Sequence, residues 1–94
     1  MKKHKNIYQG ILKINADIYT ISFKEYPTVS DDGEYDLFVF ESTDSNLNNR
    51  KFKDIKYVSI HIDNGDLLIL YDLNIVSNSI SFKDCELITK LIAI

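Results

Sequence analysis

The chain has 94 residues, 45 % of them hydrophobic and 27 % charged, with a net charge of −3 at pH 7. That length suits one domain around one core, and that composition excludes a disordered chain. The acidic balance speaks against a dedicated nucleic-acid binder and a charge-driven membrane-surface protein, and no apolar run approaches the ~20 residues of a membrane span.

Residues 1–6, with Lys2, Lys3 and Lys5, read as a flexible basic start, and residues 7–94 as a single all-β domain. The basic start resembles the opening of a secretory signal, but Tyr8, Gln9, Lys13, Asn15 and Asp17 interrupt the apolar stretch that a signal needs. One cysteine, Cys85, permits no intrachain disulfide. A reducing compartment, and so a cytoplasmic location, is the expectation. Ile, Lys, Asn and Asp are abundant while Ala, Gly, Pro and Arg are scarce, a composition typical of AT-rich bacterial or phage coding sequence.

From Tyr8 onward the apolar period is two, the signature of strands. Tyr8, Gly10, Leu12 and Ile14 share one face, and after Asn15-Ala16 the series resumes with Tyr19, Ile21 and Phe23. A two- or four-residue loop keeps both sets on one side; a three-residue loop mixes them. Gln9, Ile11 and Lys13 then face outward with Ile18, Thr20, Ser22 and Lys24. Gly10, in mid-strand, points to a bend or to a large neighbour such as Tyr8. Pro27 closes this unit. Residues 35–41 form a third strand with bulky side chains on both faces, which fits the centre of a sheet or a strand bent between two layers. Residues 42–50 are rich in turn formers and read as the longest loop.

Asn64-Gly65, between alternating runs at 56–63 and 66–71, predicts a type I′ hairpin, since both positions of that turn need positive φ. The resulting register sets Ile62 opposite Leu67, Ile60 opposite Ile69 and Val58 opposite Tyr71 on the core face. His61 with Leu68, Ser59 with Leu70 and Tyr57 with Asp72 fall on the other. Ser77-Asn78 marks a turn before a short strand at Ile80 and Phe82. Residues 85–94 carry both helical and strand spacing, and their isoleucine content favours strand.

The expected fold is therefore all-β: a small antiparallel barrel or sandwich of six or seven strands, with a short C-terminal helix as the alternative to the last strand. The ending, a strand, a tight turn at Lys83-Asp84-Cys85 and a closing strand, is similar in architecture to that of small SH3-like and Sm-like barrels. Such a likeness implies a fold and no function.

No catalytic constellation emerges. Ser59, His61 and Asp63 supply triad residue types, but neighbours two apart on one strand project in parallel and cannot reach one another. The loop Asp31-Asp32-Gly33-Glu34-Tyr35-Asp36 lacks the Gly at position six and Glu at position twelve that an EF-hand needs. Cys85 and His61 have no partners at metal-ligand spacing, and Gly10, Gly33 and Gly65 form no phosphate loop. The expectation is no enzyme, no metal and no cofactor.

What remains are surfaces. Tyr57, His61, Asp63 and Asp66 around the second hairpin, with Asp31, Asp32 and Tyr35 in the acidic loop, suit a protein-binding domain whose partner has a basic surface. An inhibitor, immunity or anti-defence protein is the class this suggests. Arg50, Lys51, Phe52, Lys53 and Lys56 interleave charge with an aromatic ring, the pattern of a small-barrel nucleic-acid or nucleotide binder. A homo-oligomer built through Leu91-Ile92-Ala93-Ile94 is the third reading, since that apolar end needs a core or another chain to cover it.

Overall fold

A computed structural model describes residues 7–42, 47, 52, 55–76 and 78–89 of the chain. Among the described residues are nine strands: β1 Tyr8–Ile14, β2 Asp17–Phe23, β3 Asp36–Val39, β4 Glu41–Ser42, β5 Tyr57–Ile62, β6 Leu67–Tyr71, β7 Asn74–Val76, β8 Ser79–Phe82 and β9 Asp84–Ile88. They form a six-stranded sheet in the order β4-β2-β1-β5-β6-β9 and a three-stranded sheet in the order β3-β8-β7. Every pairing is antiparallel. The result is a sandwich and not a closed barrel.

The strand count exceeds the expected six or seven because the expected strand at 35–41 divides into β3 and β4 and because β7, Asn74–Val76, was not foreseen. Two stretches of chain change layers. The chain from Asp36 to Ser42 belongs to the small sheet as β3 and to the large one as β4, with Phe40 at the bend. The Phe40 N–H still bonds to the Asn78 carbonyl at 3.0 Å, so pairing with the small sheet runs up to the corner. Residues 79–88 do the same at Lys83, whose N–H reaches the Tyr71 carbonyl at 3.2 Å. The expectation of a bent strand between layers is met at β3–β4. The strand reading of the C-terminal segment holds for Asp84–Ile88, which pairs with β6. Residues 90–94 and 1–6 lie outside the described residues.

The first hairpin has the anticipated register. Ile14 faces Asp17, Leu12 faces Tyr19, Gly10 faces Ile21 and Tyr8 faces Phe23 across a two-residue loop. Asn15 takes the left-handed conformation at φ 55°, which Asn tolerates better than most residues. Gly10 meets neither a bend nor Tyr8. A Cβ there would lie 2.9 Å from the His61 carbonyl oxygen and 3.2 Å from Ile60 Cγ2, so the position is set by close approach of β5.

The second hairpin corrects the anticipated register by one residue. Ile60 faces Leu68, Val58 faces Leu70 and Tyr57 faces Tyr71. Gly65 has φ 99° while Asn64 is absent from the positive-φ residues, so this is not a type I′ turn. The Ile62 N–H bonds to the Asp66 carbonyl and the Gly65 N–H to the Ile62 carbonyl, both at 2.9 Å. Asp63, Asn64 and Gly65 thus form a three-residue loop with glycine at its left-handed position. One added loop residue reverses the faces of β6. Leu68 and Leu70 enter the core, and Leu67, Ile69 and Tyr71 turn outward and are half-buried.

Between the sheets lie Leu12, Ile14, Tyr19, Ile21, Phe23, Val58, Ile60, Ile62, Leu68 and Leu70 from the large sheet, with Phe38, Ile80 and Phe82 from the small one. Phe40 at the bend and Leu47 complete the interior. An aromatic file crosses the layers: Tyr8 stacks on Phe23 at 5.5 Å, Phe23 meets Phe38 edge-on at 5.1 Å, and Phe38 stacks on Phe40 at 5.8 Å. Among the described residues no helix is long and apolar enough to cross a membrane.

Candidate functional site

The small sheet covers one face of the large sheet. No described element covers the other. Strand alternation and register place three cross-strand rows on that outer face. The first runs Thr20, Ile11, His61, Leu67, Ile88. The second runs Ile18, Lys13, Ser59, Ile69, Glu86. The third contains Tyr57, Tyr71 and Asp84. Five strands at about 4.8 Å spacing make this surface about 19 Å wide. Ile11 is 42 % exposed, Ile18 62 %, Tyr57 59 % and Ile88 45 %. Scattered exposed apolar residues are ordinary, but a contiguous set on one flat face is the usual mark of an interaction surface.

The predicted partner-binding residues fall in three places. Tyr57 and His61 lie on the outer face, where Ile11 and Leu67 flank His61 in its row. Asp63 and Asp66 belong to the tip of the β5–β6 hairpin, and they do not oppose each other as a pair. The Asp63 N–H donates to the Gln9 carbonyl at 2.8 Å and fastens the loop to β1. The Asp66 carboxylate accepts the Tyr26 hydroxyl proton at 2.8 Å. Asn64 Nδ2 donates to the same Tyr26 oxygen at 2.9 Å, and Asn64 Oδ1 accepts the Asp66 N–H at 2.9 Å. Burial foremost, and then the Asp66 carboxylate that accepts its proton, raise the Tyr26 phenol above its ordinary value, against the opposing bond from Asn64.

Asp31, Asp32 and Tyr35 sit in the β2–β3 loop. Ser30 Oγ lies 2.9 Å from Asp32 Oδ1 and 2.8 Å from Asp36 Oδ1, and the Ser30 N–H reaches Asp36 Oδ2 at 2.9 Å. The Glu34 N–H donates to Asp32 Oδ1 at 3.0 Å. That backbone bond first, and the Ser30 hydroxyl second, hold Asp32 below its ordinary value. The carboxylates thus organise their own loop. Tyr35 is exposed, and Lys83 Nζ stands 4.9 Å from its ring centroid. Among the described residues, no three or more His, Cys, Asp or Glu side chains gather as a metal site would require.

Of the alternative basic set, Arg50, Lys51 and Lys53 lie outside the described residues. Lys56 is exposed. Phe52 packs against the core and meets Tyr19 edge-on at 6.3 Å. The homo-oligomer segment Leu91–Ile94 also lies outside the described residues. Cys85 is half-buried against the core, its Sγ 3.8 Å from the Pro27 carbonyl, and burial, with the nearby Asp84 and Asp36 charges, pushes its thiol up. A raised thiol is a poor nucleophile at neutral pH.

Sequence reasoning missed a cleft of about 450 Å³ at the fork where β4 pairs with β2 and β3 departs to the small sheet. Ser22 to Thr28 form one wall and Asp36 to Glu41 the other. The signals were Pro27 at the end of the first unit and a strand at 35–41 with bulky residues on both faces, but no one-dimensional pattern says that the two segments splay apart. Comparisons with protein-family models, with curated proteins and with solved structures found no match to this chain.

Proposed function

We propose that this is a non-enzymatic protein-binding domain that works in a reducing compartment such as the cytoplasm and docks its partner on the outer face of the six-stranded sheet. The observation behind this reading is that Ile11 and Ile18 on one side of His61 and Ser59 of β5, and Tyr57, Leu67, Ile69 and Ile88 on or beyond that strand, share a sheet face that no described element covers. Apolar and aromatic groups interleaved with His61, Ser59 and Lys13 match the mixed composition of non-obligate protein interfaces. Asp63 and Asp84, exposed near its margin, add acidic groups, and the whole chain is acidic. A partner with an apolar patch and a basic rim complements that surface, and charge of this kind speeds and orients docking. Among such domains, a small inhibitor or immunity protein of bacterial or phage origin fits the size and charge.

The test is capture from lysate of the source cell by the tagged protein, beside the double variant Ile11→Ser with Tyr57→Ala. Both side chains are exposed, so the variant keeps the fold, which its thermal midpoint verifies. We expect a partner that survives high salt and binds the variant at least about tenfold more weakly. Equal capture by the two proteins refutes the proposal. Retention of nucleic acid that is lost as salt rises points instead to the basic segment at 50–56.

A further inference from the structure

At the β2–β3 fork, one wall of the cleft is a strand edge with which no described strand pairs. β3 is the terminal strand of the small sheet, paired on one side with β8. The Phe40 N–H points to Asn78, in line with the β3–β8 register. Backbone groups of successive strand residues point to alternate sides. Asp36 and Phe38 therefore share the orientation of Phe40 toward β8. Leu37 and Val39 direct their N–H and C=O groups the other way, into the cleft, and no described strand pairs with that edge. Their side chains are 62 % and 55 % exposed.

The cleft volume of about 450 Å³ lies within the ~300–1,000 Å³ usual for ligand sites. Half-buried Tyr26 lines it, and the buried rings of Phe23, Phe38 and Phe40 lie beneath it, with Phe23 and Tyr26 in contact at 6.0 Å. Its charged groups are Glu25, Asp36 and Glu41 against Lys24, three carboxylates to one ammonium. A helix or a closed folded surface has no free main-chain groups to offer a strand edge, because its own are already bonded. An extended segment has them. A second copy of this chain presenting the same cleft would bring carboxylates against carboxylates.

From these features we infer that the cleft takes an extended polypeptide segment carrying basic side chains, which adds as a strand to the free edge of β3. Leu37 and Val39 supply the main-chain bonds, and Glu25 and Glu41 select for Lys or Arg, with Asp36, already bonded to Ser30, adding negative charge. β3 spans four residues, so about 14 Å of segment is engaged. This inference stands apart from the reading of the outer face, and the variant Ile11→Ser with Tyr57→Ala leaves it unchanged.

The experiment uses the full chain, labelled with ¹⁵N, and terminally blocked hexapeptides as probes. One peptide alternates Lys and Val, and its counterpart alternates Glu and Val. Two further Lys–Val peptides are N-methylated at alternate residues, one in each parity. Saturating Lys–Val peptide is expected to slow amide hydrogen exchange at Leu37 and Val39 at least about tenfold, since both gain a bonded partner. The Glu–Val peptide is expected to bind about tenfold more weakly or worse. One methylated peptide should lose binding and the other keep it, because only one edge of the added strand faces β3. The inference is overturned if the Lys–Val peptide leaves these two amides unprotected, if the Glu–Val peptide protects them equally, or if both methylated peptides bind like the parent. Concentration-dependent protection of both amides without peptide overturns it in favour of self-pairing.

Discussion

At Gly10 the backbones of β1 and β5 come so close that a single methyl group has no place. The nearest obstacle is the His61 carbonyl oxygen, which cannot rotate aside as a long side chain can. Gly10→Ala is therefore expected to cost about 1–3 kcal/mol through displacement of β5, despite the better strand propensity of alanine over glycine. Urea unfolding of the two proteins measures this, and an unchanged midpoint contradicts the close-approach account. The same crowding bears on function, because His61 projects from the displaced strand onto the outer face. The residue scale is also where the sequence was most legible. Parity alone placed Leu12, Ile14, Tyr19, Ile21 and Phe23 inside and Ile11 and Ile18 outside, and burial agrees at each of them. The reason is that each strand of that hairpin carries most of its apolar residues on one parity, with Ile11 and Ile18 as the exceptions, so that one face is clearly the better one for the core.

Between elements, Tyr26 ties the segment after β2 to the tip of the β5–β6 hairpin by its bonds with Asp66 and Asn64. Tyr26→Phe should lower stability by about 1 kcal/mol, the usual net worth of such bonds. It should also alter the alkaline limb of the stability profile. The folded state raises the Tyr26 phenol above its ordinary 10.0, so folding favours the protonated form. That contribution is complete below pH about 10 and is lost as pH rises through the folded-state value. The difference in unfolding free energy between wild type and Tyr26→Phe should thus shrink above pH about 10, and a difference that stays constant to higher pH counts against the linkage. The hairpin tip is also where sequence reading failed. Asn64-Gly65 serves both a two-residue turn and a three-residue loop with glycine last. The run Leu67-Leu68-Ile69-Leu70-Tyr71 is apolar on both parities, so it offered no alternation with which to choose. The long-range bond from Asp63 to Gln9 belongs with the longer loop, and a contact of that kind has no local signature. The candidate surfaces follow suit: Tyr57 and His61 were legible, whereas the outward turn of Leu67 and Ile69 depended on the register.

Across the whole molecule, the two layers are joined by the aromatic file from Tyr8 through Phe23 to Phe38 and Phe40. Phe38 is the member contributed by the small sheet proper, and it is 2 % exposed. Phe38→Ala should cost about 3–5 kcal/mol, a large part of the ~5–15 kcal/mol typical of a domain. Because continuous strands pass between the sheets at Phe40 and Lys83, the loss should appear as one cooperative transition at lower urea with its slope unchanged. Two separate transitions in a chemical denaturation curve would mean that the layers unfold independently. The wiring of β3 also has a consequence during synthesis on the ribosome. The β1–β2 and β5–β6 hairpins are local and close within about 1–10 μs of emerging. β3 has no such neighbour, since its sheet partner is β8, about forty residues downstream in the chain. At about 5–20 residues per second, several seconds pass between the emergence of β3 and that of β8. Through that interval the nascent chain carries an apolar strand without its sheet partner, which exposes Leu37-Phe38-Val39-Phe40 to chaperone capture and to misassembly.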